Sequence, residues 1–487
     1  MKEIHHIYTK WKEEWTIIFF TKIIHIDILT NNMNLIYKTS SWSLQSKHIF
    51  YYYVYYCCYF FSCYYLLFVT NVAKATPSSA IPSSSSINKM INDVKTLRDL
   101  AKDHGKYFGS CENIQVLSNK TASPKYQEII GTQFSLVTAE NSCKFTETEY
   151  TQNSFQFTDC DTILSHAQGA NQVMRGHNLV WGKLNPPWLT SSNFSKDEMT
   201  QVMKKHIETV VKHYDGKAFC WDVVNEAVTD LSNETMFKNN DWYPMVPDYV
   251  DQAYLQANLS RSSNEKLFYN DYNIASSTGF SARKSQLVYN LVYGMKGRNI
   301  PIDGVGLQLH VDINYPSVAG VIKNMGRLGE LGLWVHMTEI DVACSPGGLP
   351  CLEWGMEEET KQAEVYAALL NACLEEEMCE SYEMWGFTDR YTWLGSDQHP
   401  LLFDENYEPK LAVQALIDTF NGNLTWVNNY YSRVGNYSGK PSSNNDDDEI
   451  YSPWLDFRGK DEYIRNKKNI YETYHQQQKL KKRKEIE

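Results

Sequence analysis

The sequence predicts an α/β fold of the (β/α)8, or TIM-barrel, class. Short apolar runs recur along the chain, helical patterns fill the intervals between them, and polar side chains collect where the runs end. The runs begin near Tyr107, Phe134, Met174, Ala218, Leu267, Asp303, Leu333 and Tyr382. This spacing leaves room for one strand and one helix in each unit. An open, doubly wound sheet is the alternative, but no G-x-G-x-x-G motif follows the first run.

The interval between the third and fourth runs shows the helical pattern most fully. Residues 195–198 read Ser-Lys-Asp-Glu, which is a capping box. The apolar residues that follow share one helical face and are Met199, Val202, Met203, Ile207, Val210 and Val211. Gly216 comes just beyond them and is typical of a helix end. We therefore expect an amphipathic helix that starts after Ser195 and packs on a sheet.

The N-terminal part of the chain differs from this pattern. Residues 1–48 show no sustained period, whereas residues 49–70 form an uncharged, apolar run that is long enough to cross a bilayer. An A-x-A cleavage pattern follows at 73–75. We predict that residues 1–75 are an extension carrying a cleaved signal or an uncleaved membrane anchor, with Met33 as an alternative start. A Ser/Pro-rich linker follows at 76–89.

Export of the remaining chain has support from two further features. The glycosylation sequons are Asn119, Asn193, Asn233, Asn258, Asn423 and Asn436. Of the 11 cysteines, three lie in the apolar run, which leaves an even number that can pair. No C-x-x-C motif occurs among them, and we expect no metal site. The protein is therefore expected to be a secreted, disulfide-bonded glycoprotein, or to be anchored with the barrel outside the cell.

Length and charge restrict the remaining possibilities. The 487 residues are 43% hydrophobic and 14% aromatic, which suits one barrel at residues 90–420. The net charge of -12 disfavours a nucleic-acid partner and favours a neutral ligand. Residues 421–487 lack a sustained apolar pattern and are predicted to be a disordered tail. We expect a monomer that needs no cofactor.

Polar side chains stand where several predicted strands end. In a TIM barrel the active site lies at these carboxyl ends, so residues distant in sequence meet around one mouth. The fourth run, WDVVNEA at 221–227, ends on Asn225 and Glu226, and the seventh carries Glu339 in HMTEID at 336–341. Buried glutamates without a role are rare, so Glu140, Glu226 and Glu339 are the strongest indicators of a site.

Two glutamates on the fourth and seventh strands, surrounded by Trp, Asn, Gln and His, suit hydrolysis of a neutral sugar polymer. One carboxylic acid must protonate the glycosidic oxygen, and the other must stay ionised to attack the anomeric carbon. Aromatic faces would stack on the sugar rings. Amide and imidazole groups would bind the hydroxyls.

Several motifs in this order carry a resemblance to a known family. They are AENSCK (139–144), RGHNLVW (175–181), WDVVNEA, GLQLH (306–310), HMTEID and WGFTDRYTW (385–393). Together they resemble glycoside hydrolase family 10, the retaining endo-β-1,4-xylanases, over residues 90 to 420. The resemblance implies a TIM barrel that acts on a xylan-like polysaccharide by double displacement.

The resemblance also implies roles for individual residues. Glu226 would be the general acid/base, Glu339 the nucleophile, and Asn225 the group that holds the sugar 2-hydroxyl. Gln308 and His310 would orient the nucleophile, with Asp341 behind His310. The other implied positions are Glu140, Asn141 and Lys144 on the glycone side, His177 and Trp181 at the cleavage subsite, Trp385 and Trp393 above it, and Tyr272 on the aglycone side.

A disulfide between Cys373 and Cys379 is likewise implied by the family, and Cys344 with Cys351 is a second candidate pair. The chain departs from the family's W-H-x-Q pattern, because Trp181 is followed by Gly182, Lys183 and Leu184. A glutamine that binds sugar is therefore absent, which keeps β-1,4-glucan or mixed-linkage glucan as alternative substrates. A silent, polysaccharide-binding barrel is a further alternative, although the retained pair of glutamates argues against it.

Overall fold

Eight parallel strands close into a barrel in sequence order, as predicted. The computed structural model describes residues 95–119, 123–231, 236–262, 265–315, 318–346, 349 and 351–434. The strands are β1 (Tyr107–Glu112), β2 (Leu136–Ala139), β3 (Val173–Trp181), β4 (Ala218–Asn225), β5 (Lys266–Tyr272), β6 (Gly304–Asp312), β7 (Trp334–Ala343) and β8 (Cys379–Met384). The predicted apolar run at 49–70 and the linker at 76–89 lie outside the described residues.

Helices alternate with the strands and form the outer layer. Within the described ranges the α-helices are α1 (Leu97–Asp103), α2 (Ile114–Leu117), α3 (Ser123–Gln133), α4 (Phe145–Thr148), α5 (Thr158–Gly169), α6 (Pro187–Thr190), α7 (Lys196–His213), α8 (Tyr249–Ser260), α9 (Ala282–Gly297), α10 (Val318–Glu330), α11 (Met356–Glu375), α12 (Leu411–Phe420) and α13 (Thr425–Val434). None of these helices is long and apolar enough to span a bilayer.

Helix α7 confirms the pattern that predicted it. The Ser195 hydroxyl accepts a hydrogen bond from the Glu198 amide at 3.3 Å, and the Glu198 carboxylate accepts one from the Ser195 amide at 2.8 Å. These two bonds satisfy backbone donors that have no partner inside the helix. Its buried face comprises Met199, Met203, His206, Ile207, Val210 and Val211. The apolar spacing therefore determined which side of the helix packs on the barrel.

Close packing inside the barrel depends on two glycines. A Cβ atom at Gly176 would lie 2.2 Å from the Trp221 ring, and one at Gly306 would lie 2.3 Å from the Asn270 side-chain oxygen. Any larger residue at these positions would collide with its neighbour. Gly306 thus leaves space for the Asn270 amide in the barrel interior.

Bulges interrupt the strand register close to the carboxyl end of the barrel. Register shifts occur between His177 and Val180 on β3, between Gln308 and His310 on β6, and between Met337 and Ile340 on β7. Bulges redirect side chains and are common beside active sites. These three strands, which carry His177, His310 and Glu339, are thus irregular close to those predicted site residues.

The predicted start of the tail at residue 421 is wrong, because α13 continues the ordered structure. Val427 and Tyr430 are buried, and the Tyr430 hydroxyl donates a hydrogen bond to the Tyr315 carbonyl at 2.9 Å. Arg433 pairs with Glu364 on α11 at 2.8 Å. The apolar residues of α13 lie on one face, a short pattern that the polar composition of the whole tail obscured. Residues 435–487 lie outside the described residues.

Three disulfides join cysteines of the barrel domain. The predicted pairs Cys373–Cys379 and Cys344–Cys351 are both present. The third disulfide, Cys143–Cys160, was not predicted and joins the loop after β2 to α5. The described cysteines that remain as thiols, Cys111 and Cys220, are both buried.

Candidate active site

Glu226 and Glu339 lie at the carboxyl end of the barrel, as the sequence predicted. Glu226 directly follows β4, and Glu339 lies within β7, four residues before its end. Both are buried, at 9% and 7% exposure, and both have a φ of 55°. Left-handed backbone is unfavourable for residues other than glycine and concentrates at functional sites. The same uncommon conformation therefore presents both carboxylates at the barrel mouth.

Glu339 is held by hydrogen bonds from two strands. The Asn270 side-chain amide on β5 donates to one carboxylate oxygen at 2.7 Å, and His310 on β6 contacts the other at 3.2 Å. His310 is held in turn by Asp341 at 2.8 Å, and the Trp393 indole donates to the same Asp341 oxygen at 2.9 Å. A chain of contacts thus runs from Trp393 to Glu339.

These contacts shift the pKa values of both His310 and Glu339. Burial alone would lower the pKa of His310, but the charge and hydrogen bond of Asp341, with those of Glu339, raise that pKa to about 10. Burial alone would raise the pKa of Glu339, but the hydrogen bond from His310, the charges of His177 and His310, and the bond from Asn270 hold that pKa below its ordinary value. Glu339 is consequently ionised beside a charged imidazole at neutral pH.

Glu226 accepts fewer hydrogen bonds than Glu339. One of its carboxylate oxygens accepts a 3.3 Å hydrogen bond from the Asn225 side chain. The other, Oε2, is buried without a hydrogen-bond partner and lies 3.7 Å from the Lys183 ammonium nitrogen. The two glutamates therefore differ in the number and kind of groups that contact them.

Asn225 is fixed between the two glutamates. Its side-chain oxygen accepts hydrogen bonds from Asn270 at 3.0 Å and from Gln308 at 3.1 Å. Because the oxygen is occupied by two donors, the amide group of Asn225 must point the other way, toward Glu226. Gln308 thus contacts Asn225 and orients it, rather than contacting Glu339 directly.

Three predicted residues follow β2 and contact one another. The Lys144 ammonium donates to the Asn141 side chain at 2.8 Å, and the Asn141 amide donates to Glu140 at 3.4 Å. Lys144 lies 5.0 Å from the centroid of the Trp181 ring and 5.9 Å from that of Trp385. Burial lowers the pKa of Lys144. These residues form a polar wall with two aromatic faces beside it.

His177 is linked to the barrel interior. Its Nδ1 lies 2.9 Å from Asp222, which also accepts a hydrogen bond from the Arg175 side chain at 2.9 Å. Burial alone would raise the pKa of Asp222, but the charges and hydrogen bonds of Arg175 and His177 hold that pKa below its ordinary value. The His177 ring meets the Trp385 ring edge to face at 5.4 Å.

Tyr272 stands at the end of β5. Its hydroxyl donates to Asp230 at 2.5 Å and accepts a bond from Lys238 at 3.0 Å. The Lys284 ammonium lies 3.6 Å from the centroid of its ring. Charged groups on two sides thus hold the tyrosine ring in place.

The structure adds residues that the sequence did not select. Asn270 contacts both Asn225 and Glu339, and Asp222 holds His177. Asn113 donates to Glu140 at 2.7 Å. Asn270 is one of the polar residues that end the fifth predicted strand, but no role was predicted for it. Asp222 lies within a strand, and no comparable signal marked it.

The arrangement suits acid/base and nucleophilic chemistry on a polyhydroxylated substrate. It combines two buried carboxylates in different environments, fixed amides, and aromatic rings at the rim. Among the described residues, no cluster of three or more His, Cys, Asp or Glu side chains is arranged to hold a metal ion.

Comparison with known proteins agrees with this geometry. The model of glycosyl hydrolase family 10 matches residues 96–419. Endo-1,4-beta-xylanase B of Thermotoga neapolitana is 35% identical over 305 residues, which cover 60% of this chain and 84% of that protein. The Agaricus bisporus endo-1,4-beta-xylanase is 31% identical over 319 residues, which cover 64% of this chain and 90% of that protein.

Solved structures show the same likeness. Xylanase 10B of Thermotoga maritima has a TM-score of 0.63 and 32% identity, and the match covers 68% of this chain and 99% of that one. Xylanase 10B of Thermotoga petrophila, solved with xylobiose, has a TM-score of 0.63 and 31% identity over 68% of this chain and 99% of that one. The barrel, the strand-end carboxylates and these matches show that this chain belongs to glycosyl hydrolase family 10.

Proposed function

We propose that this protein is a retaining endo-β-1,4-xylanase, which cleaves internal bonds of xylan. The observation that carries the proposal is the pair of buried carboxylates, one directly after β4 and one on β7, held in different surroundings. Relatives with 31% and 35% identity are endo-1,4-beta-xylanases, and xylanase 10B of Thermotoga petrophila was solved with xylobiose. Family membership supports retention of configuration at the anomeric carbon.

Glu339 is assigned as the nucleophile. It must be ionised to attack the anomeric carbon, and the bonds from Asn270 and His310 favour the ionised form. Because each carboxylate oxygen has a fixed donor, the group is oriented before substrate binds. Attack forms a glycosyl-enzyme intermediate and breaks the bond to the leaving sugar.

Glu226 is assigned as the general acid/base. Its oxygen Oε2 has no hydrogen-bond partner, so it can offer a proton to the glycosidic oxygen and later accept one from water. In a retaining enzyme the two carboxyl groups lie about 5 to 5.5 Å apart, which leaves no room for a water between nucleophile and sugar. Asn225, fixed beside it, is placed to bind the sugar 2-hydroxyl, an interaction that strengthens in the transition state.

The remaining predicted residues are assigned to substrate binding. Glu140, Asn141 and Lys144 form the polar wall of the glycone side, and Tyr272 supplies an aromatic face on the aglycone side. Trp181, Trp385 and Trp393 offer ring faces to the sugars around the cleaved bond, where His177 also lies. Gln308, His310 and Asp341 act through the groups that they orient.

Paired glutamate variants test the assignment. We expect Glu339→Gln to abolish hydrolysis of every substrate, because the amide cannot attack. Glu226→Ala should lose activity on xylan but largely keep the first step with aryl xylobiosides whose leaving groups need no protonation. Glu128→Gln, an exposed change on α3, is the matched control. Equal losses for Glu226→Ala on good and poor leaving groups would contradict the division of roles.

A β-1,4-glucanase is the second candidate function. Leu184 stands where the family has a sugar-binding glutamine, and a relative that is 30% identical over 360 residues is an exoglucanase of Acetivibrio thermocellus. Incubation with xylan, cellulose and mixed-linkage glucan, followed by analysis of the released sugars, separates the two. Absence of any product would instead favour a silent binding barrel.

We also propose that the barrel functions outside the cytosol, either secreted or anchored through residues 49–70, and as a monomer. Its three disulfides are typical of an oxidising compartment. The sequon asparagines that the structure describes are exposed and are Asn119, Asn193, Asn258 and Asn423. Asn233 and Asn436 lie outside the described residues. Cell fractionation, with glycosidase treatment of the recovered protein, tests this location.

A further inference from the structure

Lys284 is a buried lysine on α9 that packs against the ring of Tyr272. Its side chain is 5% exposed, and its ammonium forms ion pairs with Asp271 at 2.8 Å and with Asp230 at 2.9 Å. The same ammonium lies 3.6 Å from the centroid of the Tyr272 ring. Asp271 is fully buried on β5, whereas Asp230 is exposed in the loop after β4. The lysine therefore joins α9, β5 and this loop at one point beside the tyrosine.

The hydroxyl group of Tyr272 is occupied by charged neighbours. It donates to Asp230 at 2.5 Å and accepts a hydrogen bond from Lys238 at 3.0 Å. Lys238 also pairs with Asp230 at 3.3 Å. A tyrosine hydroxyl has one hydrogen, so none is left for a sugar oxygen to accept. Because Tyr272 remains partly exposed, a sugar on this side meets its aromatic ring.

We propose that Lys284 is a positioning residue for the aglycone side, where it holds the Tyr272 ring in the orientation that sugar needs. The inference rests on the proposed function, in which Tyr272 supplies the aromatic face of this side. A cation on an aromatic face is attracted by the ring, more strongly where water is excluded. Since the two ion pairs fix the ammonium, they also fix the ring. Lys284 is too buried to contact the sugar and acts through Tyr272.

The second step of a retaining reaction allows the aglycone side to be measured separately. When water attacks the glycosyl-enzyme, no sugar has to contact Tyr272. When an acceptor sugar attacks, its hydroxyl oxygen forms a bond to the anomeric carbon, the bond from that carbon to Glu339 breaks, and Glu226 takes the hydroxyl proton. The dependence of turnover on acceptor concentration therefore reports how well this side binds sugar.

The test measures turnover of dinitrophenyl xylobioside by the full chain in the presence of increasing xylobiose, the acceptor. The leaving group needs no proton, so breakdown of the glycosyl-enzyme limits kcat. We expect Lys284→Met to raise the xylobiose concentration that gives half-maximal transfer by roughly fivefold, the scale of one aromatic contact. The kcat without acceptor should be unchanged, because the glycone side and the two glutamates are intact.

A variant of the tyrosine shows whether the lysine acts through the ring. Tyr272→Leu should raise the half-maximal xylobiose concentration at least as much as Lys284→Met does. In the Tyr272→Leu background, Lys284→Met should cause no further rise, since the ring that it positions is gone. A further rise would mean that the lysine binds sugar by itself, and would overturn the proposal.

Lys266→Met is the matched control. Lys266 begins β5 at the opposite end of the same strand and pairs with Glu380 at 2.6 Å. Its loss should lower the melting temperature and leave the acceptor dependence unchanged. Lys284→Met leaves the charge of Asp271 buried without this partner, so Lys284→Met/Asp271→Asn, which removes both charges, is the second variant if the first does not fold.

An unchanged acceptor dependence in the Lys284 variants, an equal change in Lys266→Met, or a fall in kcat without acceptor overturns the proposal. Absence of any turnover of dinitrophenyl xylobioside by the wild-type chain would instead refute the proposed function. The two failures are therefore distinguishable.

Discussion

Leu184 combines a left-handed backbone with a half-exposed apolar side chain. Its φ is 50°, and its carbonyl oxygen accepts a 3.2 Å hydrogen bond from the Thr146 amide. This bond ties the segment after β3 to helix α4, which begins next to Lys144. An amide side chain at position 184 would restore a sugar contact that the family pattern contains.

We expect Leu184→Gln to raise kcat/KM on xylan by up to about tenfold, since one net hydrogen bond contributes about 0.5 to 1.5 kcal/mol. Leu184→Met keeps an apolar side chain of similar size and should leave the rate unchanged. The measurement is steady-state hydrolysis of xylan and of β-glucans. A loss on xylan, with a wild-type preference for a glucan, would identify Leu184 as a specificity determinant and contradict the xylanase assignment.

The raised pKa of His310 makes stability depend on pH. A folded-state pKa of about 10, above the ordinary value, means that the contribution of His310 is fully present below about pH 6.5 and is lost as pH rises through about 10. The difference in unfolding free energy between wild type and His310→Asn should therefore shrink over this range by on the order of 3 kcal/mol. Urea unfolding at several pH values measures it. If the difference in unfolding free energy between the two proteins does not change from pH 6.5 to 10, then Asp341 and Glu339 do not stabilise the charged form of His310.

At the scale of elements, the Cys143–Cys160 disulfide holds the loop that carries Glu140, Asn141 and Lys144. It joins residues 17 apart, and cross-linking a loop of this length stabilises by about 3 kcal/mol through the unfolded state. We expect the Cys143→Ala/Cys160→Ala protein to lose about that much stability and to show a higher KM. Thermal unfolding and steady-state kinetics measure the two effects.

The Cys373–Cys379 disulfide supplies the matched control. Cys379 begins β8, so this disulfide lies at the amino-terminal end of the barrel, away from the mouth. The Cys373→Ala/Cys379→Ala protein should be less stable with an unchanged KM. Equal KM values in both double variants would show that the β2 loop keeps its conformation without its disulfide.

At the scale of the whole molecule, α13 is part of the folded unit although the family match ends at residue 419. It covers α11 with Val427 and Tyr430, and Arg433 pairs with Glu364. A chain that ends after residue 424 exposes the surface that these side chains cover. We expect the free energy of unfolding of this truncated chain to be lower by roughly 3 kcal/mol, which is the contribution expected from burying two large apolar side chains. Thermal unfolding of a chain that ends after residue 434 is the control and should match the full chain. Equal melting temperatures for the chains that end after residues 424 and 434 would show that α13 adds no stability.

The sequence alone determined the barrel and most of its mouth. Strand and helix periods are local, so eight repeated units and the capping box of α7 were evident without coordinates. Active sites in this fold lie at strand ends, which is why Glu226 and Glu339 could be selected from position and residue type. Of the two predicted disulfides, Cys373–Cys379 was implied by the family resemblance and Cys344–Cys351 was the second candidate; both close short loops.

The tertiary structure decided the contacts between elements that are far apart in sequence. Asn270 bridges Asn225 and Glu339, and Lys183 reaches Glu226, only because the closed barrel brings β3, β4, β5 and β7 to one mouth. Bulges in β3, β6 and β7 shift side chains by amounts that no local pattern specifies. The Cys143–Cys160 pair and the burial of α13 likewise depend on packing between helices and loops, which is set by the folded chain as a whole.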